Sequence, residues 1–386
     1  MKNLLERSEI GFSQQAEAEA FFQKVADADV WEEVSASSVK AKEIPWCPIM
    51  ASDIRNTIGL SKEVSIDSVQ ENMDENLCLG LKSPGGFYPI GETGFLSALQ
   101  RAGFMQSVAL SGREEKAYFK PLTPEERVIV LNLGLKTQKN KDLLLLRRDE
   151  KIRYVGSSEY VPLEFLKLME ILRNSLLKNF EDCSFVSSSA GHEYFTVTYD
   201  VKIPEVAHVF DTLMDEIGVA HDLPLIRVKL VSSDVGLSGA NLYPYIRVTE
   251  MDLPIGRPLT LEHKGDCSYE RFEENCEKIL SVLKDCTKRM EQLSDYRMNH
   301  PTGAIRRICK AAGLPKKQSL EAADYFPDLY GTSGTGLDVY WHCFEVYETY
   351  AEASKSVNTA RKLQIEEALT RALYQMEEFD LPFDWE

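Results

Sequence analysis

Apolar positions along the chain change their spacing from one stretch to the next. Over 14–34, Ala20, Phe21, Val25 and Val30 recur at helical intervals among acidic positions, which predicts a helix. The prolines of 43–48 interrupt it, because each removes a backbone donor and drives its predecessor out of the helical region. Four glycines and two prolines in 81–94 predict a loop. Phe95, Leu96, Leu99 and Ala102 then resume helical spacing, and Gly103 ends it. In 142–155 two apolar runs flank an Arg-Asp-Glu-Lys turn, the pattern of a β-hairpin. A helix over 162–180 follows, with Pro162 suited to its first turn.

Strand patterns dominate the middle. Phe195, Val197, Tyr199 and Val201 alternate, as do Ile226, Val228 and Leu230 against Arg227 and Lys229, so each run predicts a half-buried strand. The stretches 241–248 and 259–263 predict further strands, with Pro244 placing the first at an edge or bulge. After Gly265, residues Phe272, Cys276, Ile279, Leu283, Cys286, Met290 and Leu293 are separated by 4, 3, 4, 3, 4 and 3 positions. That seam predicts one long amphipathic helix, with Ser268 as its N-cap. It fits packing against the chain's own domain, with a seam between two copies as the alternative. Helices over 301–312, 336–354 and 359–378 complete the chain. Leu369, Leu373, Met376, Phe383 and Trp385 predict that the acidic end docks. The expected fold is α+β: a central, largely antiparallel sheet with a C-terminal helical layer that includes the long helix. Three regions are expected: 1–80, helical and irregular; 81–265, mixed and holding the main sheet; 266–386, helical.

Composition narrows the setting. The 386 residues suffice for two domains or three, and 44% hydrophobic with 10% aromatic residues excludes wholesale disorder. Against 44 Lys and Arg stand 61 Asp and Glu, a formal charge of -17, so overall charge cannot hold nucleic acid or an anionic membrane. Any such contact must be local. The N-terminus lacks the apolar core of a signal peptide, and no run approaches the roughly 18 apolar residues of a membrane span. Eight cysteines without a close pair predict reduced thiols. A soluble protein of the cytoplasm, without membrane contact, is expected.

Chemical motifs are sparse. The loop 331–336, Gly-Thr-Ser-Gly-Thr-Gly, lacks the Lys-Ser/Thr end of a phosphate loop and reads as a helix cap. Ser238, within 236–240, lacks the glycine spacing of a nucleophile elbow. His192-Glu193 and the His342, Glu345 pair have no second motif to complete a metal site, and the latter reads as a solvated helix face. No catalytic residue, metal set or cofactor is therefore expected.

One charge anomaly stands out. Arg306, Arg307, Lys310, Lys316 and Lys317 occur within twelve positions holding no acidic residue. They lie on a helix, a Gly313-Leu-Pro315 turn and a second helix, the outline of a helix-turn-helix whose basic side chains could sit on phosphates. The competing explanation is that they neutralise the chain's own carboxylates, such as those of 366–386. A second basic spot on the 142–155 hairpin, Arg147, Arg148, Lys151 and Arg153, would extend the track, with Tyr154 for stacking.

Several stretches together resemble an uncharacterised family of phage, prophage and plasmid proteins that contain a domain of unknown function. The likeness rests on Tyr88-Pro-Ile90 followed by 96–104, on the strand region ending at Leu261-Glu-His-Lys-Gly265, on the helix after it, and on Gly336-Leu-Asp-Val-Tyr340. It spans roughly residues 80 to 380. The resemblance implies a mobile-element protein of a bacterial cell or infected host, and it carries over no catalytic residue. The expected function is a non-enzymatic accessory that handles DNA or RNA through the two basic patches. The alternative is an acidic protein that binds and blocks a basic host protein, of the defence or nucleic-acid-processing kind, in a counter-defence role; an enzyme of unrecognised type comes third.

Overall fold

The computed structural model describes residues 9–45, 56, 58–104, 122–138, 141–180, 182–331, 333–354 and 357–382. Three antiparallel sheets carry the fold. The main one runs in the order β1 (Ile10–Phe12), β8 (Cys183–Ala190), β9 (Phe195–Val201), β10 (Leu225–Ser232), β11 (Ala240–Val248) and β12 (Met251–Pro254), with β13 (Leu259–Leu261) also paired to β11. A second contains β2 (Asp29–Ser35), β6 (Asp142–Arg148) and β7 (Lys151–Ser157). The third contains β3 (Ala41–Glu43), β4 (Leu79–Ser83) and β5 (Gly86–Pro89), and a parallel bridge from Ile90 to Ile152 links it to the second. The α+β class is as expected. The segment before residue 80 contributes a strand to each sheet.

The alternation read in the middle of the chain sets the faces of the main sheet. Phe195, Val197, Tyr199, Val201, Ile226, Val228 and Leu230 all enter the large core, which α5 (Phe165–Asn179) and α6 (Pro204–Glu216) help to cover. On the opposite face Arg227 donates to Asp200 at 2.7 Å and to Asp252 at 2.7 Å, a charged ladder across three strands. Pro244 lies not at an edge but inside β11, opposite Val228. It is tolerated because β13 pairs only with Ala240 to Leu242 on the far side of β11, and β12 only with Tyr245 to Val248. The Pro244 carbonyl faces that side, accepting from the Ile255 N–H at 3.2 Å, so its nitrogen points into the gap between the two partners, where no ladder bond is lost.

Other sequence expectations need correction. The predicted helix over 14–34 ends early: α1 (Gln15–Ala28) gives way to β2, which holds Val30 and Val34. The glycine-rich tract 81–94, which comes after α2 (Ile66–Asp74), is mostly hairpin, β4 and β5 turning at Pro84 and Gly85; α3 (Glu92–Arg101) follows at once, and α4 (Pro124–Thr137) precedes β6. Pro162 precedes α5 instead of opening it. Strand β8 carried no apolar alternation to reveal it.

The long seam divides into α7 (Tyr269–Glu277), capped by Ser268, and α8 (Ile279–Asp295). Lys278 joins them in helical conformation, its N–H bonded back to Asn275. All seven seam residues are buried in the single chain. This is the expected packing against the chain's own domain, and the two-copy alternative through 272–293 finds no free seam on this face.

After it come α9 (Pro301–Ala311), α10 (Lys316–Tyr330), α11 (Gly336–Ala353), α12 (Thr359–Tyr374) and α13 (Met376–Phe379). The acidic end docks as far as the described residues reach, to 382; Phe383 and Trp385 lie beyond them. Asp380 accepts from Tyr296 Oη, Asn299 N, Asn299 Nδ2 and His300 N at 2.6–3.0 Å. Burial works against its charge, yet these donors outweigh that and hold its pKa below the ordinary value. Among the described residues seven cysteines are free, six of them buried, and no helix is long and apolar enough to cross a membrane.

Candidate binding surfaces and a cavity

The hairpin cations turn inward. Side chains alternate across a strand, so Arg147 and Arg148 project to opposite faces, and because both faces of this sheet carry packed side chains, with Leu145 in one cluster and Leu146 in another, one of the two is fully enclosed. That residue is Arg148, with 1% exposure. Its cross-strand neighbour is Asp29. The two form a fork, Nε to Oδ1 at 2.6 Å and Nη2 to Oδ2 at 2.8 Å, and Nη2 also donates to Asp234 in the turn after β10. Lys151 is equally buried and donates to Glu71 at 2.6 Å. Arg147 lies over the Tyr88 ring at 4.7 Å and pairs with Glu63 at 3.2 Å. Arg153 packs over Gly91 at the start of α3. Burial and Arg148 push its pKa down. Tyr154 is buried among Trp31 and Tyr160. The expected solvent-facing track along this hairpin is therefore absent, because both faces of its sheet are packed and its charges are matched by the chain's own carboxylates.

The cluster of Arg306, Arg307, Lys310, Lys316 and Lys317 does sit on adjacent helices, as predicted. Arg306 pairs with Asp324 of α10 at 2.9 Å, and Arg307 donates to the Pro382 carbonyl at 2.6 Å. Lys317 lies 3.7 Å from Glu321 on its own helix. Lys310 and Lys316 are exposed near the turn. Part of this patch thus neutralises α10 and ties down the chain end.

The other motifs resolve into structure. Gly331 closes α10 with φ 76°, and Thr335 opens α11 through a capping box with Asp338. Ser238 donates to the Gly239 carbonyl and accepts from Asn241, an ordinary turn. The expected solvated face at His342 is instead buried, with Nε2 2.9 Å from the Ala322 carbonyl. His263, from the Leu261-Glu-His-Lys-Gly265 stretch, bonds through Nδ1 to the Val161 carbonyl at 3.0 Å and lies 3.4 Å from Ser232 Oγ. Both are buried, and His263 stacks on Tyr160 at 5.0 Å. Among the described residues no three His, Cys, Asp or Glu converge as metal ligands.

What sequence reasoning missed is a cavity of about 140 Å³ beside the Asp29–Arg148–Asp234 cluster. Phe22 reaches it from the middle of α1, Asp29 and Trp31 from β2, Tyr160 from the approach to α5, Phe165 from the first turn of α5, Phe195 from β9, Asp234 from the turn after β10 and Tyr269 from α7. Trp31 stacks on Tyr160 at 5.5 Å and 23°. Burial raises the Asp29 pKa to about 6, against the pull of Arg148 and with a push from Asp234. Burial opposes the Arg148 charge as well, but Asp234 and Asp29 more than offset it and raise its pKa. With both carboxylates ionised, the cluster carries a surplus of one negative charge. A sequence signal existed only in part: two adjacent arginines after four leucines require a buried acidic partner, without saying which.

Comparison with known proteins finds no match among family models, curated proteins or solved structures.

Proposed function

We propose that the chain is a non-enzymatic interaction protein whose acidic surface engages a basic partner protein. The resemblance to phage and plasmid proteins makes a host protein the expected class of target. The observation that carries this reading is the pairing of these cations with the chain's own carboxylates. Arg147, Arg148 and Lys151 are spent on Glu63, Asp29, Asp234 and Glu71, and Arg306 on Asp324, while the chain keeps an excess of 17 acidic charges. Such an excess steers a basic partner toward the surface and raises its association rate, an effect that salt weakens. A second reading, phosphate contact through Lys310, Lys316 and Lys317, is favoured by their exposure at the facing ends of α9 and α10.

Affinity capture from bacterial lysate, with and without nuclease, separates the two. The protein-partner reading expects a discrete basic protein that survives nuclease and is released as salt rises. Loss of all captured material on nuclease treatment would transfer the function to nucleic acid.

A further inference from the structure

We propose that the cavity bounded by Trp31, Tyr160 and the Asp29–Arg148–Asp234 cluster is a binding site for a small organic monocation, an alkylammonium or guanidinium group. This site goes beyond the partner reading, because a free amine would occupy it whether or not a protein partner exists. Four observations converge on it.

The volume, about 140 Å³, is far more than the roughly 10–15 Å³ that admits one water, so a compact polyatomic group has room. The walls are aromatic, from Phe22, Trp31, Tyr160, Phe165, Phe195 and Tyr269. Two of their polar handles are already engaged: Tyr160 Oη donates to the Ser233 carbonyl at 3.2 Å, and Tyr269 Oη accepts from the Glu164 N–H at 2.9 Å. Tyr160 is already stacked on Trp31 and on His263, and Lys167 lies 5.5 Å over the Tyr269 ring, so a cation–ring contact for a guest falls chiefly to Trp31.

The acids decide the sign of the guest. Asp29 and Asp234 line the cavity together with Glu164, and the Asp pair shares one guanidinium, Arg148. Glu164 is matched by Lys167 at 3.2 Å. The count at the floor is two negatives to one positive. An anion would be repelled, and a neutral apolar guest would strip water from carboxylate oxygens without replacing it. A monocation balances the count and is held in surroundings of lower dielectric than water, where the attraction is stronger.

Access is built in as well. The Asp29 and Asp234 side chains keep 15% and 12% exposure, so the charged floor is open to solvent while Arg148 beneath it is closed. Trp31 is only half-buried, at the side of the cavity.

Titration calorimetry on the full chain tests this, with tetramethylammonium and methylguanidinium chlorides as probes, and sodium chloride and tert-butanol as ionic and neutral controls. Saturable one-to-one binding of at least one organic cation is expected, with neither control competing. Trp31→Ala, which removes a half-buried ring, should weaken binding about tenfold. Asp234→Asn should weaken it at least as much, with circular dichroism confirming that the variant folds. Absence of saturable binding by either cation, equal competition by tert-butanol, or unchanged affinity in the folded Trp31→Ala variant would each overturn the assignment.

Discussion

Replacing Arg148 by alanine should cost the protein about 3–5 kcal/mol at neutral pH, because it leaves Asp29 and Asp234 facing each other without their shared cation. The figure is the penalty for stranding buried charges, not the net worth of the cluster, which an apolar replacement of all three residues could match. The deficit should also depend on pH in a definite direction. Asp29 already titrates near 6 in the intact protein, above its ordinary 3.8. A carboxylate whose pKa is raised by folding favours the folded state when protonated and opposes it once ionised, so its favourable contribution is complete below the unfolded pKa and is lost as pH rises through the folded one. Without Arg148 the pull that holds the Asp29 pKa down is gone, and it rises further. The gap between wild type and Arg148→Ala should therefore be widest above pH ~6 and narrow toward pH ~4. Urea denaturation at several pH values measures it. A gap that is constant with pH, or smaller than about 1 kcal/mol at pH 7, would mean that the cluster is not buried as described.

Leu283→Ala should lower stability by about 2–5 kcal/mol, through lost burial and the cavity left behind. Leu283 has no exposed surface and lies mid-seam on α8, between Ile279 and Cys286 on the same buried face. That face packs into the core shared with α6 and α11, so no neighbouring chain is needed to bury it. Leu283→Asp should be worse, since it places a charge there with no partner. Chemical denaturation of both variants at two protein concentrations checks the account. A change below ~0.5 kcal/mol for the alanine variant would show the face to be exposed. A midpoint that moves with concentration would restore the two-copy reading of the seam.

Legibility in the sequence followed the periodicity of apolar residues. The seam from Phe272 to Leu293 and the alternation in β9 and β10 were visible because each repeats for several turns or pairs. The 142–157 hairpin was visible because a charged turn separates two apolar runs. Strand β8, with four serines in eight residues, had no such pattern, and its place is fixed by β1 and β9 on either side. Strand β2 was hidden behind α1, since Glu32 and Glu33 look like a solvated helix face until β6 pairs with them. The cavity was least legible of all. Asp29 and Asp234 lie 119 and 86 positions from Arg148, and only the meeting of β2, β6 and the β10 turn brings them together. Basic clusters were visible as composition, but a charge count does not say which way a strand turns a side chain.

In the function proposed above, the basic residues serve the fold and the acidic excess serves recognition. Fluorescence anisotropy with labelled single-stranded and duplex DNA at low salt tests it most directly. The account predicts no saturable binding to either form, while Arg306→Ala with Arg307→Ala lowers stability modestly, by about 1 kcal/mol or less for the exposed pair. Saturable DNA binding whose salt dependence flattens in that double variant, by up to about two units of slope, would contradict it and return the patch to phosphate contact.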